Sequence, residues 1–403
     1  MNVKSFIKKY TMVIALVVVF IFFAIWTEQK LLLSQNLSNL LIQNSYVLVL
    51  ACGMLMCILT GGNIDLSVGS TVCLIGAIAA QMLTKHNLNP IIVILLCLVF
   101  SCLIGMWQGF WIGYVHIPPF ICTLAGMFLF RGFGRAILES KTIAIPQSEG
   151  SVGKKFLDIF TSYIDVPGLD HSWHINAEGK DVEVRLSALI LGIIISVALI
   201  AVTVLKRVKK AKKGYKQESA ISQFGKVLVI DALILAYTWK LSLYKGIPVM
   251  AIWVLAVVGI YAFITSKTAF GRHFYAVGGN EKATKLSGIN TKMVYFMAYT
   301  SMSVLAGLSG LLVAARVGSV NGDTGNSFEM DAIGSCFIGG ASAYGGSGTV
   351  GGVMVGAILL GVINQGMSIK GLDNNWQYVV KGGVLLVAVI FDVVSNKKTG
   401  KAG

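Results

Sequence analysis

The chain is poor in charge: 13% of its 403 residues are Asp, Glu, Lys or Arg, against about 25% in soluble globular proteins. Acidic residues are the scarcer kind, 18 against 33 basic ones, for a formal net charge of +15. The sequence has no Gly-x-x-x-x-Gly-Lys-Ser/Thr phosphate loop, so ATP hydrolysis by this chain is not expected. It has no Cys-x-x-Cys either. Cys52, Cys57, Cys73, Cys97, Cys102, Cys122 and Cys336 all lie in or beside apolar runs and read as small buried hydrophobes, not as a disulfide frame or zinc site. The five histidines (His86, His116, His171, His174, His273) are scattered, and His171 and His174 lack a metal-ligand spacing. That scatter argues against a membrane enzyme acting on lipid-linked sugars, which needs acids or histidines gathered at one face. A secretory cleavage pattern is missing after Phe23-Ala24-Ile25-Trp26. The run behind Lys4, Lys8 and Lys9 therefore reads as an uncleaved membrane helix.

What the chain does have is long apolar runs, with 55% hydrophobic residues. Candidate segments are Thr11 to Trp26, Ser45 to Thr60, Val68 to Leu83, Pro90 to Trp107, Phe120 to Ala136, Leu186 to Leu205, Val227 to Trp239, Pro248 to Thr265, Met293 to Ala315, Ile333 to Ala343, Gly352 to Met367 and Tyr378 to Val394. A full span takes about 20 residues, so the Val227 and Ile333 segments read as tilted, broken or re-entrant. The expected fold is all-α: one polytopic membrane helix bundle over residues 1–403, with broken or re-entrant segments and a short cytoplasmic helix.

Lys206, Arg207, Lys209, Lys210, Lys212, Lys213 and Lys216 form a basic loop over 205–225. Arg272, Lys282, Lys285 and Lys292 mark a second loop over 266–291, and Lys397, Lys398 and Lys401 lie near the end. Flanking cations of this kind are explained by topology and anionic lipid before nucleic acid. They place both termini in the cytoplasm and the polar stretch 139–184 outside. That stretch is rich in acids and contains Pro146, Pro167 and Gly168, so it reads as a folded outer insertion.

Two interruptions stand out. Leu59-Thr60-Gly61-Gly62-Asn63-Ile64-Asp65-Leu66-Ser67-Val68-Gly69-Ser70 lies between two apolar runs. Broken backbone at membrane depth survives only when protein surrounds it or it lines a watery cavity, and a central Asp costs roughly 2.5–3.5 kcal/mol. Asp65 either caps the helix starting near Ser67 or faces a polar route; the cap is the preferred reading. The other interruption runs from Gly339 to Gly352, where small residues suit close helix packing. In the loop Gly271 to Asn290, Asn280 is a good N-cap, Glu281 suits a first turn and Gly288 a stop. Two helical turns are unstable alone, so Phe270, Phe274, Tyr275 and Leu286 are expected to pack them against something.

Three ordered motifs carry a family resemblance. They are Gly61-Gly62-Asn63-Ile64-Asp65-Leu66-Ser67-Val68-Gly69-Ser70, the run from Gly271-Arg272 through Gly278-Gly279-Asn280-Glu281 to Ser287-Gly288-Ile289, and Ile338 to Val350 followed by Gly361 to Gly366 and Trp376 to Gly382. Together they resemble the permease subunits of ATP-binding-cassette importers for ribose, galactose and xylose, in the bacterial cytoplasmic membrane. Asn63 and the long link from Glu139 to Leu243 are similar to xylose-type or multiple-monosaccharide members. The resemblance implies a homodimeric pore, a cytoplasmic ATPase subunit that uses ATP and Mg, and an extracytoplasmic sugar-binding protein that delivers a monosaccharide, an aldose. It implies no cofactor on this chain and no catalysis by it. The coupling loop to the ATPase maps to Gly271, Arg272, Ala276, Gly278, Gly279, Asn280, Glu281, Ala283, Ser287 and Gly288. Asn63, Asp65, Ser67, Asn364 and Gln365 are candidate translocation-path groups. The competing expectation is an ion-coupled secondary transporter, for which Asp65 and Asp231 are the plausible intramembrane carboxylates.

Overall fold

The computed structural model describes residues 3–166, 168–170, 173–214 and 220–398. Expectations placed on Pro167, His171, Lys216 and Lys401 fall outside these residues, as do those on the side chains of Lys4, Lys8, Lys9, Lys180, Lys397 and Lys398. In chain order the elements are α1 Val3–Trp26, α2 Ser34–Leu59, α3 Val68–Thr84, α4 Pro90–Gly113, α5 Pro119–Ile137, β1 Ile143–Ala144, α6 Val152–Thr161, β2 His174–Ala177, β3 Lys180–Glu183, α7 Leu186–Lys212, α8 Ala220–Ser242, α9 Val249–Lys267, α10 Ala269–Gly279, α11 Glu281–Leu286, α12 Thr291–Val317, β4 Ser319–Val320, α13 Phe328–Ile338, α14 Val350–Ile369 and α15 Asn374–Lys398. The protein is a polytopic helical bundle: among the described residues, seven helices are long and apolar enough to cross a membrane. Eleven of the twelve apolar segments expected from the sequence lie in helices to within a residue, and the Ile333 to Ala343 segment is helical only as far as Ile338. The Val227 segment is not short or broken. It belongs to the 23-residue α8, and Lys226 and Lys240 at its ends hid its true length. The Ile333 segment is short: α13 has 11 residues, about 16 Å at 1.5 Å per residue, or half a bilayer core.

The chain forms two compact units. The first comprises Met1–Glu28, Ile42–Thr161 and Met250–Gly403. Its centre is α2 and α12, and α4 packs most intimately on α12. Gly105, Gly109 and Gly113, one per helical turn, face the backbone of Thr300, Phe296 and Lys292. Any Cβ there would overlap α12, so the small residues set the close approach of two helices in lipid. Asn89 and Asn290 cap α4 and α12 by accepting from the Ile91 and Met293 amides, and left-handed Gly318 ends α12. The chain then pairs β4 with β1 and descends along α3, where Gly325 packs against the Gly69 backbone. Arg131 on α5 holds that descending loop by donating to the carbonyls of Gly322 (3.2 Å) and Thr324 (2.7 Å). Six of the seven cysteines are buried and Cys102 is half-buried; all are free thiols.

The second unit comprises Gln29–Leu41 and Ser162–Val249. In it α7 and α8 pack as a hairpin, with Gly192 opposite Thr238. The basic run from Lys206 to Lys212 continues α7 as helix, where a loop was expected. The β2–β3 hairpin turns at Glu178, whose carboxylate accepts from the Ser34 amide (3.1 Å), the Ser34 hydroxyl (2.8 Å) and the Lys240 ammonium (2.9 Å). His174 faces Asp181 across the same hairpin at 3.9 Å, both exposed. Partial burial raises the pKa of Glu178, but Lys240 and Ser34 outweigh it and hold the group below its ordinary value. A free glutamate titrates near 4.3, so this anchor is fully present above that pH and is lost as pH falls through the lower folded value. Amide hydrogen exchange across 174–183 is expected to stay slow from neutral pH to about 4.3 and accelerate below it. Glu178→Gln should make the exchange fast and remove that pH dependence.

Candidate functional site

The break between α2 and α3 is built from local hydrogen bonds. Asp65 is 1% exposed, and its Oδ1 accepts from both the amide (2.8 Å) and the hydroxyl (2.7 Å) of Ser67. This is a turn leading into α3: Ser67 is the N-cap residue, and its own side chain makes no cap bond. The Ser67 hydroxyl oxygen accepts from the Gln108 side chain at 2.8 Å, and Ser303 donates to the other end of that amide at 3.4 Å. A buried relay thus ties α3, α4 and α12 together. Gln108 and Ser303 were not foreseen; a lone amide within the apolar run of α4 was the available signal. Asn63 donates locally to the Thr60 carbonyl (3.1 Å).

The second break, Gly339 to Thr349, lies against the first. Gly346 donates its amide to the Leu59 carbonyl at 3.0 Å. A Cβ on Gly62 would overlap the Ala343 carbonyl, and one on Gly345 would overlap Gly61. These contacts are main chain on main chain, which only glycine permits.

The predicted short helix is in fact a pair. Thr268 caps α10 by accepting from the Gly271 amide (2.9 Å), and Asn280 caps α11 by accepting from the Ala283 amide (2.9 Å). The expected apolar face is partly there: Phe274 is buried and stands edge-on to Phe270 at 5.0 Å, and Phe270 and Tyr275 pack against the core. Leu286 does the opposite of what was expected and is 90% exposed, since α11 is only six residues long and its end projects from the bundle. Arg272, Gly279, Asn280, Glu281, Ala283, Ser287 and Gly288 are exposed, whereas Gly271 is buried and Gly278 half-buried.

This helix pair is joined to both breaks. Gly278 sits so close to the Leu59 carbonyl and the Gly346 backbone that a Cβ would collide with each. The Tyr275 hydroxyl donates to the Gly348 carbonyl at 2.9 Å. The Tyr295 hydroxyl proton is shared between the Thr60 carbonyl (3.2 Å) and the Glu281 carboxylate (3.0 Å).

The other candidate path residues lie elsewhere. Asn364 and Gln365 are on α14, some 15 residues past its start, about 22 Å along the helix. Their amide oxygens are buried without a partner among the described residues. Asp231 lies in α8, in the second unit, buried with both carboxylate oxygens unpartnered among the described residues.

Sequence reasoning missed a further cluster. Asp331 on α13, with a side chain 3% exposed, pairs with Lys381 on α15 at 2.9 Å. The Tyr46 hydroxyl donates to the same carboxylate at 2.8 Å, and Tyr46 stacks on Phe328 at 3.8 Å. Tyr46 is midway along the 26 residues of α2. An acid just before one apolar run, Asp331, and a lone base within another, Lys381, were the signal.

The chain matches the model of the family described as branched-chain amino acid transport system / permease component over residues 36–166 and 180–389. It is similar to a xylose transport system permease protein of Haemophilus influenzae, 34% identical over 395 residues, which are 97% of this chain and 98% of that protein. The counterpart in Escherichia coli K12 is 31% identical, over 98% of this chain and 93% of that protein. A galactose/methyl galactoside import permease protein of Salmonella typhimurium is 29% identical over 97% of each. No solved structure matches.

Proposed function

Since the chain belongs to the branched-chain amino acid transport system permease family, we propose that it is the membrane subunit of an ATP-driven importer of monosaccharides, aldoses such as xylose or galactose. The subunit is non-catalytic. ATP and Mg are used by a cytoplasmic ATPase partner, a binding protein delivers the sugar from outside, and two copies of the permease enclose the path in the bacterial cytoplasmic membrane. Both termini are cytoplasmic in this reading, which the basic runs support. The ATPase docks on the exposed face of α10–α11, from Arg272 to Gly288, and its closure rocks the bundles between inward- and outward-open states.

The observation that carries the coupling reading is the joint at Gly278. One helix pair touches both membrane breaks, so displacing it displaces them. The test is uptake in vesicles containing the permease with its ATPase and loaded binding protein. Uptake should need ATP and should persist with an uncoupler present while ATP is held constant. Uptake by the permease alone that collapses with the uncoupler would sink the proposal.

Asp65 separates this reading from ion coupling. Both of its bonds are accepted at one oxygen, which an asparagine side chain can also supply. Asp65→Asn is therefore expected to hold ATP-dependent uptake within about twofold of wild type, because the Ser67 amide and hydroxyl keep their acceptor. A proton- or sodium-coupled carrier using Asp65 would lose transport outright in that variant.

A further inference from the structure

The Asp331–Lys381 pair does more than neutralise two charges. It lines a cavity of about 110 Å³ together with Ser327, Met330, Leu360 and Tyr378. From this cavity and the polar groups around it we infer that Asp331, Lys381, Ser327 and Tyr378 form a transient sugar-recognition site on the path. The inference rests on the monosaccharide reading above.

The hydrogen-bond count points to a polyol. An ammonium has three N–H donors, and Lys381 donates to Asp331 Oδ2 at 3.1 Å with its nitrogen 2.9 Å from Oδ1, so at least one donor stays outside the pair. Lys381 lines the cavity and its side chain is 20% exposed, so its remaining donor is available to a ligand hydroxyl. Asp331 is already held by Tyr46 and Lys381, yet a carboxylate has about four lone-pair sites, which leaves room for one more donor. Ser327 adds a hydroxyl that can donate or accept. It makes no cap bond to α13, and its backbone is left-handed at φ +63°. Such strain in a residue other than glycine gathers at ligand clamps. Tyr378 adds an aromatic wall and a phenol, and is half exposed.

A sugar offers what these groups take: hydroxyls that donate and accept, and an apolar C–H face. A free inorganic ion does not fit, because the two charges already cancel each other. The neutral pair also suits release, since a passage site must hold its cargo weakly. An ionisable pair buried between apolar helices is a mark of a transport route.

The experiment uses the reconstituted permease–ATPase complex with binding protein loaded with D-xylose, D-ribose or D-galactose. The readout is sugar moved per ATP hydrolysed, a ratio that loss of folded protein does not change. Asp331→Leu with Lys381→Leu removes both charges and leaves neither unpaired. We expect that ratio to fall at least tenfold. Ser327→Ala and Tyr378→Phe keep the fold, and each should lower it about two- to tenfold, the range of one lost hydrogen bond. They should also alter the preference among the three sugars. A double variant and two mild variants that all match wild type in ratio and preference would overturn the site. If the double variant does not assemble, the two mild variants decide alone. A wild-type complex that moves none of these sugars on ATP would instead refute the monosaccharide reading.

Discussion

Gly278→Val is expected to reduce ATP-dependent uptake by at least about tenfold, since overpacking of a tight joint typically costs 1–3 kcal/mol. Neither neighbour of Gly278 can step aside. One is the Leu59 carbonyl and the other the Gly346 backbone, and the Gly346 amide is itself bonded to Leu59. The α10 helix must therefore move away from both breaks. Membrane insertion should survive, because the packing of α4 on α12 does not involve this joint. The measurement pairs uptake with ATPase activity stimulated by loaded binding protein. Transport lost while hydrolysis continues is the expected signature of a broken linkage. Gly279→Val, one residue on, meets nothing within 4 Å and should retain assembly of the bundle. Wild-type uptake in Gly278→Val would show that the joint is loose and that α10 does not drive the breaks.

Lys381→Leu alone should be the most destabilising single change of a charged side chain in the first unit. It leaves the Asp331 carboxylate buried with Tyr46 as its remaining partner, and breaking a buried pair from one side costs about 3–5 kcal/mol. Adding Asp331→Leu should restore most of the loss, because an apolar pair of similar volume is often neutral or better. The exposed Lys85–Glu139 pair at 3.1 Å is the control: Lys85→Leu should change stability by less than about 1 kcal/mol. Thermal midpoints of detergent-solubilised protein, followed by size-exclusion chromatography, separate the three. Equal losses in Lys381→Leu and Lys85→Leu would mean that the Asp331 site is well hydrated.

The helices were legible because each spanning run obeys one rule: backbone in lipid must bond to itself. Hydropathy alone therefore located a helix in each of the twelve apolar segments, though the one from Ile333 to Ala343 leaves its helix at Ile338. Their ends were less legible. The α2 helix begins at Ser34, well before the apolar run at Ser45, because the polar residues of its first turns lie outside the run that hydropathy detects. The Asn280 cap was readable because the chemistry is local. The burial of Phe274 was foreseen, whereas the exposure of Leu286 depends on where a six-residue helix ends in space. Asp65 was expected to cap α3; it instead accepts from Ser67, the N-cap residue, in the turn before the helix. Its extension through Ser67 to Gln108 and Ser303 joins positions up to 195 residues apart, which no local pattern encodes. The Asp331–Lys381 pair was hidden for the same reason: each charge looked like a blemish in or beside its own run, and only the fold brings them together.

The joint at Gly278 has one more consequence. Its contacting atoms belong to the polypeptide itself, so no rotamer can absorb play between the moving parts. Such a hinge depends on glycine positions and not on the identity of neighbouring side chains. Segments 268–288 exchanged between homologous permeases should therefore seat without compensating repair, and a transplanted handle would still turn the same lock.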